Sequence, residues 1–190
     1  MMERSLNYRH LSRKLACSNS LFNVYFDHLL LEENEVEDYL IIKPKISIDS
    51  DHIVGVCVLP EVDLSYGLMK GWRHQFDTFI WQAPAGFVES GEEPSQTAIR
   101  ELKEETSLIC EPENLISLGS FIPDAGLIQG KVALYLARDS KLIADKKSNE
   151  VGTGNLCYFS RDDLMNLICT NSNIGGSTIT TSIRALQYGN

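Results

Sequence analysis

The stretch "PAGFVESGEEPSQTAIRELKEETSL", Pro84–Leu108, decides how the rest of the chain is read. Glu101, Glu104 and Glu105 crowd its second half, with Glu89, Glu92 and Glu93 just ahead of them. Pro94 and the acids before it mark the start of a helix, because proline suits the first turn and the helix dipole favours negative charge there. Ser107 and the apolar "LIC" end it. At about 100° per residue, Ala98, Ile99 and Leu102 form one arc that should pack on a sheet. Glu101 and Glu105 lie about 40° apart and Glu104 about 60° to the other side, so the carboxylates share one edge beside the buried face. An ordinary solvated face, partnered by Arg100 and Lys103, needs no glycine at a set distance. Yet Gly86 follows a Pro-Ala turn, six residues before Glu92 and fourteen before Arg100. Carboxylates gathered at the rim of a core without matching cations call for a hard divalent cation, and Mg2+, which reaches substrates through phosphate oxygens, is the usual one.

The whole chain agrees with that sign of charge. Its 190 residues carry a formal charge of -9, which disfavours nucleic-acid backbones and anionic membranes as partners. With 43% hydrophobic and 23% charged residues, the composition is that of a folded globular protein. The scattered cysteines Cys17, Cys57, Cys110, Cys157 and Cys169 form no C-x-x-C pair, so neither a zinc site nor a disulfide framework is expected, and a reducing cytoplasm is the simplest location. Arg4, Arg9, Arg13 and Lys14 interrupt any signal-peptide core, although the same basic stretch loosely resembles an organelle transit peptide.

From Leu21, "FNVYF" and "EDYLIIKPK" predict two strands around an acidic turn, "LEENEVED". Pro44 and "SIDSDH" mark a boundary, giving an N-terminal β extension over 1–48 and a main domain over 49–190. In the latter, "IVGVCVLP" predicts a buried strand, "FDTFIWQAPAG" a strand ending in a Pro-Ala-Gly turn, and "LISLGSFIP", "KVALYLARD" and "NLCYFS" further strands. Helices are expected on "RDDLMNLI" and, after two glycines, "STITTSIRALQY". Strands, a helix, strands and helices predict an α/β fold with helices packed on a sheet.

The spaced residues resemble the Nudix box, G-x5-E-x7-R-E-U-x-E-E-x-G-U with U aliphatic. Gly86, Glu92, Arg100, Glu101, Leu102, Glu104, Glu105 and Leu108 occupy its positions, and Ser107 stands where glycine is usual. The resemblance implies a Nudix-type α/β/α sandwich with a mixed sheet. It also implies hydrolysis of a nucleoside diphosphate linked to another group. "WRHQFDTFIWQAPAGFVESGE" is similar to a segment of the ADP-ribose and nucleotide-sugar pyrophosphatases, with Gln82 and Ala83 in place of the usual Glu-Leu, and Pro123 falls fifteen residues past Leu108 as in that subgroup. The N-terminal hairpin resembles the β extension through which those enzymes form homodimers.

The resemblance therefore implies Mg2+-dependent cleavage, with Mn2+ as a substitute, of ADP-ribose or a related nucleoside diphosphate sugar to a nucleoside monophosphate and a sugar phosphate. The metal would neutralise the diphosphate, orient it and acidify a bound water. Glu101 and Glu105 are the implied ligands, with the carbonyl of Ala85 as a third and Glu104 supporting or sharing a metal. Arg100 would orient the carboxylates, Gly86 permit a tight loop, and Glu92 hold that loop to the helix. A general base is sought on a later loop, where Glu150 is the candidate and Asp145 the alternative. Arg73 and Phe76 are candidate substrate contacts, with Trp72 and Trp81 equally assignable to the core and His74 to the pocket wall. Two rivals stay open: the same chemistry on GDP-mannose, NADH or a dinucleoside polyphosphate, and a nucleotide sensor without hydrolysis.

Overall fold

A computed structural model describes residues 7–46, 51–143 and 154–188. Along the chain come β1 (Tyr8–Ser18), β2 (Phe22–Leu31), β3 (Asn34–Pro44), β4 (Ile53–Val62), β5 (Ser65–Arg73), β6 (Thr78–Gln82), β7 (Ala85–Phe87), α1 (Pro94–Thr106), β8 (Leu108–Ile109), β9 (Leu115–Phe121), β10 (Lys131–Ala137), β11 (Lys141–Leu142), β12 (Cys157–Phe159), α2 (Arg161–Thr170) and α3 (Gly176–Tyr188).

The central sheet runs β12-β5-β4-β10-β9, with β4 and β10 parallel and the other neighbours on this path antiparallel. Both faces are covered. Val56 and Val58 of β4 join Ala133 and Tyr135 of β10 under Ala98 and Leu102 of α1. The alternate residues Cys57, Leu59, Leu134 and Leu136 face Leu164 of α2 and Ala185 and Leu186 of α3. A strand buried on both sides reads as a continuous apolar run rather than an alternating one, which is why "IVGVCVLP" is so uniform. The result is the expected α/β/α sandwich on a mixed sheet.

Two sequence expectations change at the site's edge. "PAG" is not a turn. β4 and β5 pair through Glu61–Tyr66 and Val62–Ser65, while the β6–β7 segment pairs first with β5, Met69–Arg73 against Thr78–Gln82, and then with β4, Gly55–Cys57 against Ala85–Phe87. Ala83 and Pro84 carry the chain from one partner to the other, fixed by Val58 N–H donating to Pro84 O (2.9 Å) and Ala83 N–H to the Thr178 hydroxyl (3.0 Å).

The N-terminal extension is also larger than a hairpin. Its strand order is β1-β2-β3, and Arg9, Arg13 and Lys14 of the basic stretch lie in β1, along which Arg13 donates to the buried Asp27 through Nε (2.6 Å) and Nη2 (2.7 Å). The Arg13 guanidinium lowers the Asp27 pKa. The β2–β3 turn is confined to Glu32 and Glu33, Glu32 taking φ 56°. The extension meets the segment between β9 and β10 where Ile42 N–H donates to Leu127 O and Gln129 N–H to Ile42 O, and it meets β7 where Phe22 and Phe87 rings pack edge to face at 5.6 Å.

Candidate active site

Helix α1 starts at the Glu93 N-cap, whose N–H donates to Gln96 Oε1 (3.1 Å), with Pro94 in the first turn. It ends at Ser107, which adopts the left-handed conformation, φ 59°. That geometry explains why glycine suits this position: without a Cβ the left-handed region costs little. Between these ends, Thr97, Ala98, Leu102 and Glu105 are buried.

The glutamates differ in exposure. Side-chain exposure is 12% for Glu101 and 59% for Glu104, and Glu105 is buried against the sheet. Arg100 is the hub. Its Nη1 donates to Glu101 Oε1 (2.7 Å) and Glu104 Oε2 (3.2 Å), its Nε to Glu92 Oε1 (3.1 Å), and its Nη2 to Glu92 Oε2 (3.0 Å) and the Phe87 carbonyl (3.2 Å). Glu92 Oε2 also accepts from the Thr97 hydroxyl (2.8 Å) and Glu89 N–H (3.3 Å). Arg100, with help from Thr97 and the Glu89 amide, pulls the Glu92 pKa down to about 2 against the opposing effect of burial, while Glu92 and Glu101 raise that of Arg100. The loop between β7 and α1 is thus stitched to the helix by an ionised Glu92 and a permanently charged guanidinium. Thr97 and the Phe87 carbonyl were not read from the sequence; a hydroxyl five residues past Glu92 was the available signal.

Gly86 brings the strand to the carboxylates. A Cβ built there would overlap the Glu101 carboxyl group, lying 2.7 Å from even its farther oxygen, Oε2. Gly86 therefore serves the close approach of β7 and Glu101 as much as the loop that follows. Ala85, the preceding residue, is exposed at the start of β7.

A NUDIX domain pattern matches residues 50–173, which takes in this whole arrangement. The chain belongs to the NUDIX family. Over 145 residues this Nudix hydrolase is 27% identical to the ADP-ribose pyrophosphatase of Bacillus subtilis, covering 76% of the chain and 73% of that protein. Over 91 residues it is 32% identical to the CMP-5'-(N-acetyl-N-hydroxy-3-aminopropyl)phosphonate hydrolase of Streptomyces rubellomurinus, covering 47% of the chain and 43% of that protein. Its fold superposes on a crystal structure titled as an ADP compounds hydrolase with a TM-score of 0.79 at 16% identity, covering 98% of this chain and 96% of the other.

The remaining candidates of this Nudix protein are dispersed. Arg73 closes β5 and donates to the Trp72 carbonyl (3.2 Å) and to Gln82 Oε1. His74 and Phe76 sit on the 3-10 turn between β5 and β6, Phe76 being 72% exposed. Trp72 is exposed and packs edge to face on Phe79, whereas Trp81 packs against the core and Phe159. Pro123 is exposed in the segment after β9. Glu150 and Asp145 lie outside the described residues.

Proposed function

We propose that this Nudix protein is a Mg2+-dependent pyrophosphohydrolase that cleaves ADP-ribose or a related nucleoside diphosphate sugar to a nucleoside monophosphate and a sugar phosphate. The observation that carries the reading is the approach of Gly86 to Glu101 beside Glu104 and Glu105. A strand stripped of its side chain so that a carboxylate can approach, next to two more carboxylates, is a cradle of hard oxygen donors that fits a divalent cation. Glu101, Glu105, Glu104 and the Ala85 carbonyl would hold it, and Mn2+ would serve in place of Mg2+. When bound, the metal supplies charge neutralisation for the diphosphate and a more acidic water.

The chain's own residues do the rest. Arg100 engages one oxygen each of Glu101 and Glu104, so it orients both carboxylates. Glu104, the most exposed of the three, has the access needed to accept a proton from an entering water. Arg73 and Phe76, on adjacent parts of one hairpin, and Pro123, in the segment after β9, are the proposed contacts to the nucleotide. The adenosine-containing substrate is favoured by the likeness to the Bacillus subtilis enzyme. Homodimerisation is proposed through the N-terminal sheet, where Leu11, Leu15 and Leu40 are exposed. Cys17, Cys57, Cys110, Cys157 and Cys169 are all free thiols, which suits the cytoplasm.

A product analysis tests this. Hydrolysis of ADP-ribose, GDP-mannose and NADH is followed side by side with Mg2+ in isotopically labelled water. AMP and ribose 5-phosphate formed fastest, with the label on one of them, is the expected outcome. Preference for either other substrate transfers the reading to that leaving group.

A further inference from the structure

The strand that carries the carboxylate site reaches it by changing partners, and one side chain of α3 holds the crossing. β6 stays paired with β5 as far as Gln82, and β7 is paired with β4 from Ala85 onward. Between them lie Ala83 and Pro84. Proline has no N–H, so Ala83 carries the one amide donor of the crossing. Ala83 and Thr178 are each 1% exposed, and an amide left unpaired at such a place is costly. Ala83 N–H donates to the hydroxyl of Thr178, in the first turn of α3, at 3.0 Å.

The link between α2 and α3 runs along the same edge. Trp81 N–H donates to the Asn173 carbonyl (2.9 Å) and Gly175 N–H to the Trp81 carbonyl (3.0 Å). Backbone groups two residues apart on a strand face one edge, so Ala83 N–H extends the row that Trp81 begins, with a hydroxyl of α3 as its partner. Thr180 and Thr181 of the same helix behave otherwise. Their hydroxyls donate to carbonyls four residues back, Gly176 (2.9 Å) and Ser177 (2.7 Å), the common use of a helical hydroxyl. Beyond the crossing, Gly86 has little latitude, because the Glu101 carboxyl group fills the space of its missing Cβ. Pro84, its φ fixed by the ring, passes any displacement at Ala83 on to Ala85. We propose that Thr178 is a positioning residue: from α3 it sets where the Ala85 carbonyl stands beside the α1 carboxylates, and so ties metal affinity to the last helix. The inference rests on the reading of those groups as a divalent-cation site.

The test is Mn2+ binding to the full chain, followed by electron paramagnetic resonance well below the thermal midpoint. Thr178→Val keeps the shape of threonine and loses the acceptor, whereas Thr178→Ser retains it. The valine variant is expected to bind Mn2+ about tenfold more weakly, the lower end for a group that orients a metal ligand. The Mn2+ concentration for half-maximal turnover should shift by the same factor, and hydrogen exchange at the Ala83 amide should quicken. Thr178→Ser stays near the wild type in all three. Leu186→Val loosens the buried packing of α3 eight residues further on, about 12 Å along the helix. It should lower the melting temperature and leave the Mn2+ midpoint in place, which separates positioning from stability. Wild-type Mn2+ affinity in Thr178→Val, or in Thr178→Ala should the valine variant not fold, overturns the proposal, as does an equal loss of affinity in Leu186→Val. A wild type that binds no Mn2+ refutes the cation-site reading and the proposal with it. A wild type that binds Mn2+ no better than Thr178→Val refutes the proposal alone.

Discussion

The carboxylate of Glu101 occupies the space that a side chain on Gly86 would require, with its farther oxygen 2.7 Å from where the Cβ would stand. Gly55 repeats the theme on β4, where a Cβ would meet the Gly86 carbonyl oxygen at 2.9 Å. Two glycines on paired strands thus thin the sheet at the point where α1 delivers its acid.

Gly86→Ala follows directly. The obstructing atoms are the end of a flexible side chain, so the helix need not move and the fold survives. The carboxylate is displaced by about 1 Å or more, a shift that costs about 10²-fold in rate when it misplaces a reacting group. The expected result is a melting temperature near that of the wild type with kcat/KM down by about two orders of magnitude, read by parallel thermal and kinetic assays.

Arg100→Gln tests the hub. It removes five hydrogen bonds to three carboxylates and one carbonyl and leaves Glu92, Glu101 and Glu104 repelling one another. Because the Arg100 side chain is 24% exposed, a cost of about 1–3 kcal/mol is expected, below that of a fully buried pair. Added Mg2+ should restore more stability to this variant than to the wild type, measured as the shift in thermal midpoint on metal addition.

Acid should loosen the same loop through Glu92. Its folded-state pKa is held at about 2, below the ordinary value of 4.5, chiefly by Arg100. A depressed carboxylate adds stability that is complete above the unfolded pKa and disappears as pH falls through the folded one. The contribution should therefore vanish between about pH 4.5 and pH 2. Glu92→Gln should be less stable than the wild type at pH 7, with the gap closing across that window in denaturant titrations; a gap independent of pH would contradict the assignment.

Ser107→Gly relaxes the left-handed residue that ends α1. Removing the Cβ relieves about 1–2 kcal/mol of strain, partly offset by the greater freedom of glycine in the unfolded chain. A net gain of about 0.5 kcal/mol is expected from equilibrium unfolding, with kcat/KM unchanged.

Legibility followed burial. β4, β10 and the three helices announce themselves because their apolar residues are enclosed on both faces or on one helical stripe. β1 was missed because all of its residues are exposed; its pairing with β2 rests on backbone groups and polar contacts such as Arg13–Asp27, which leave no apolar pattern in "YRHLSRKLACS". β5 was missed for a different reason, since Gly67, Lys70 and Gly71 interrupt its run for the sake of neighbours such as Leu156 and Gln82. The acidic edge of α1 was readable from spacing alone. The transfer of the chain from β5 to β4 at Ala83–Pro84 was not, because a proline between two short strands has the same local signature as a turn.

The central claim is that the acidic edge of α1 holds a divalent cation on which hydrolysis depends. Its most direct measurement is a Mn2+ titration by electron paramagnetic resonance on the wild type and on Glu101→Gln and Glu105→Gln, with ADP-ribose turnover assayed on the same samples. Saturable binding that tracks turnover in the wild type, and loss of both in each variant, is the expected result. Turnover that persists in metal-free wild type, or variants that bind Mn2+ and hydrolyse substrate undiminished, would contradict it.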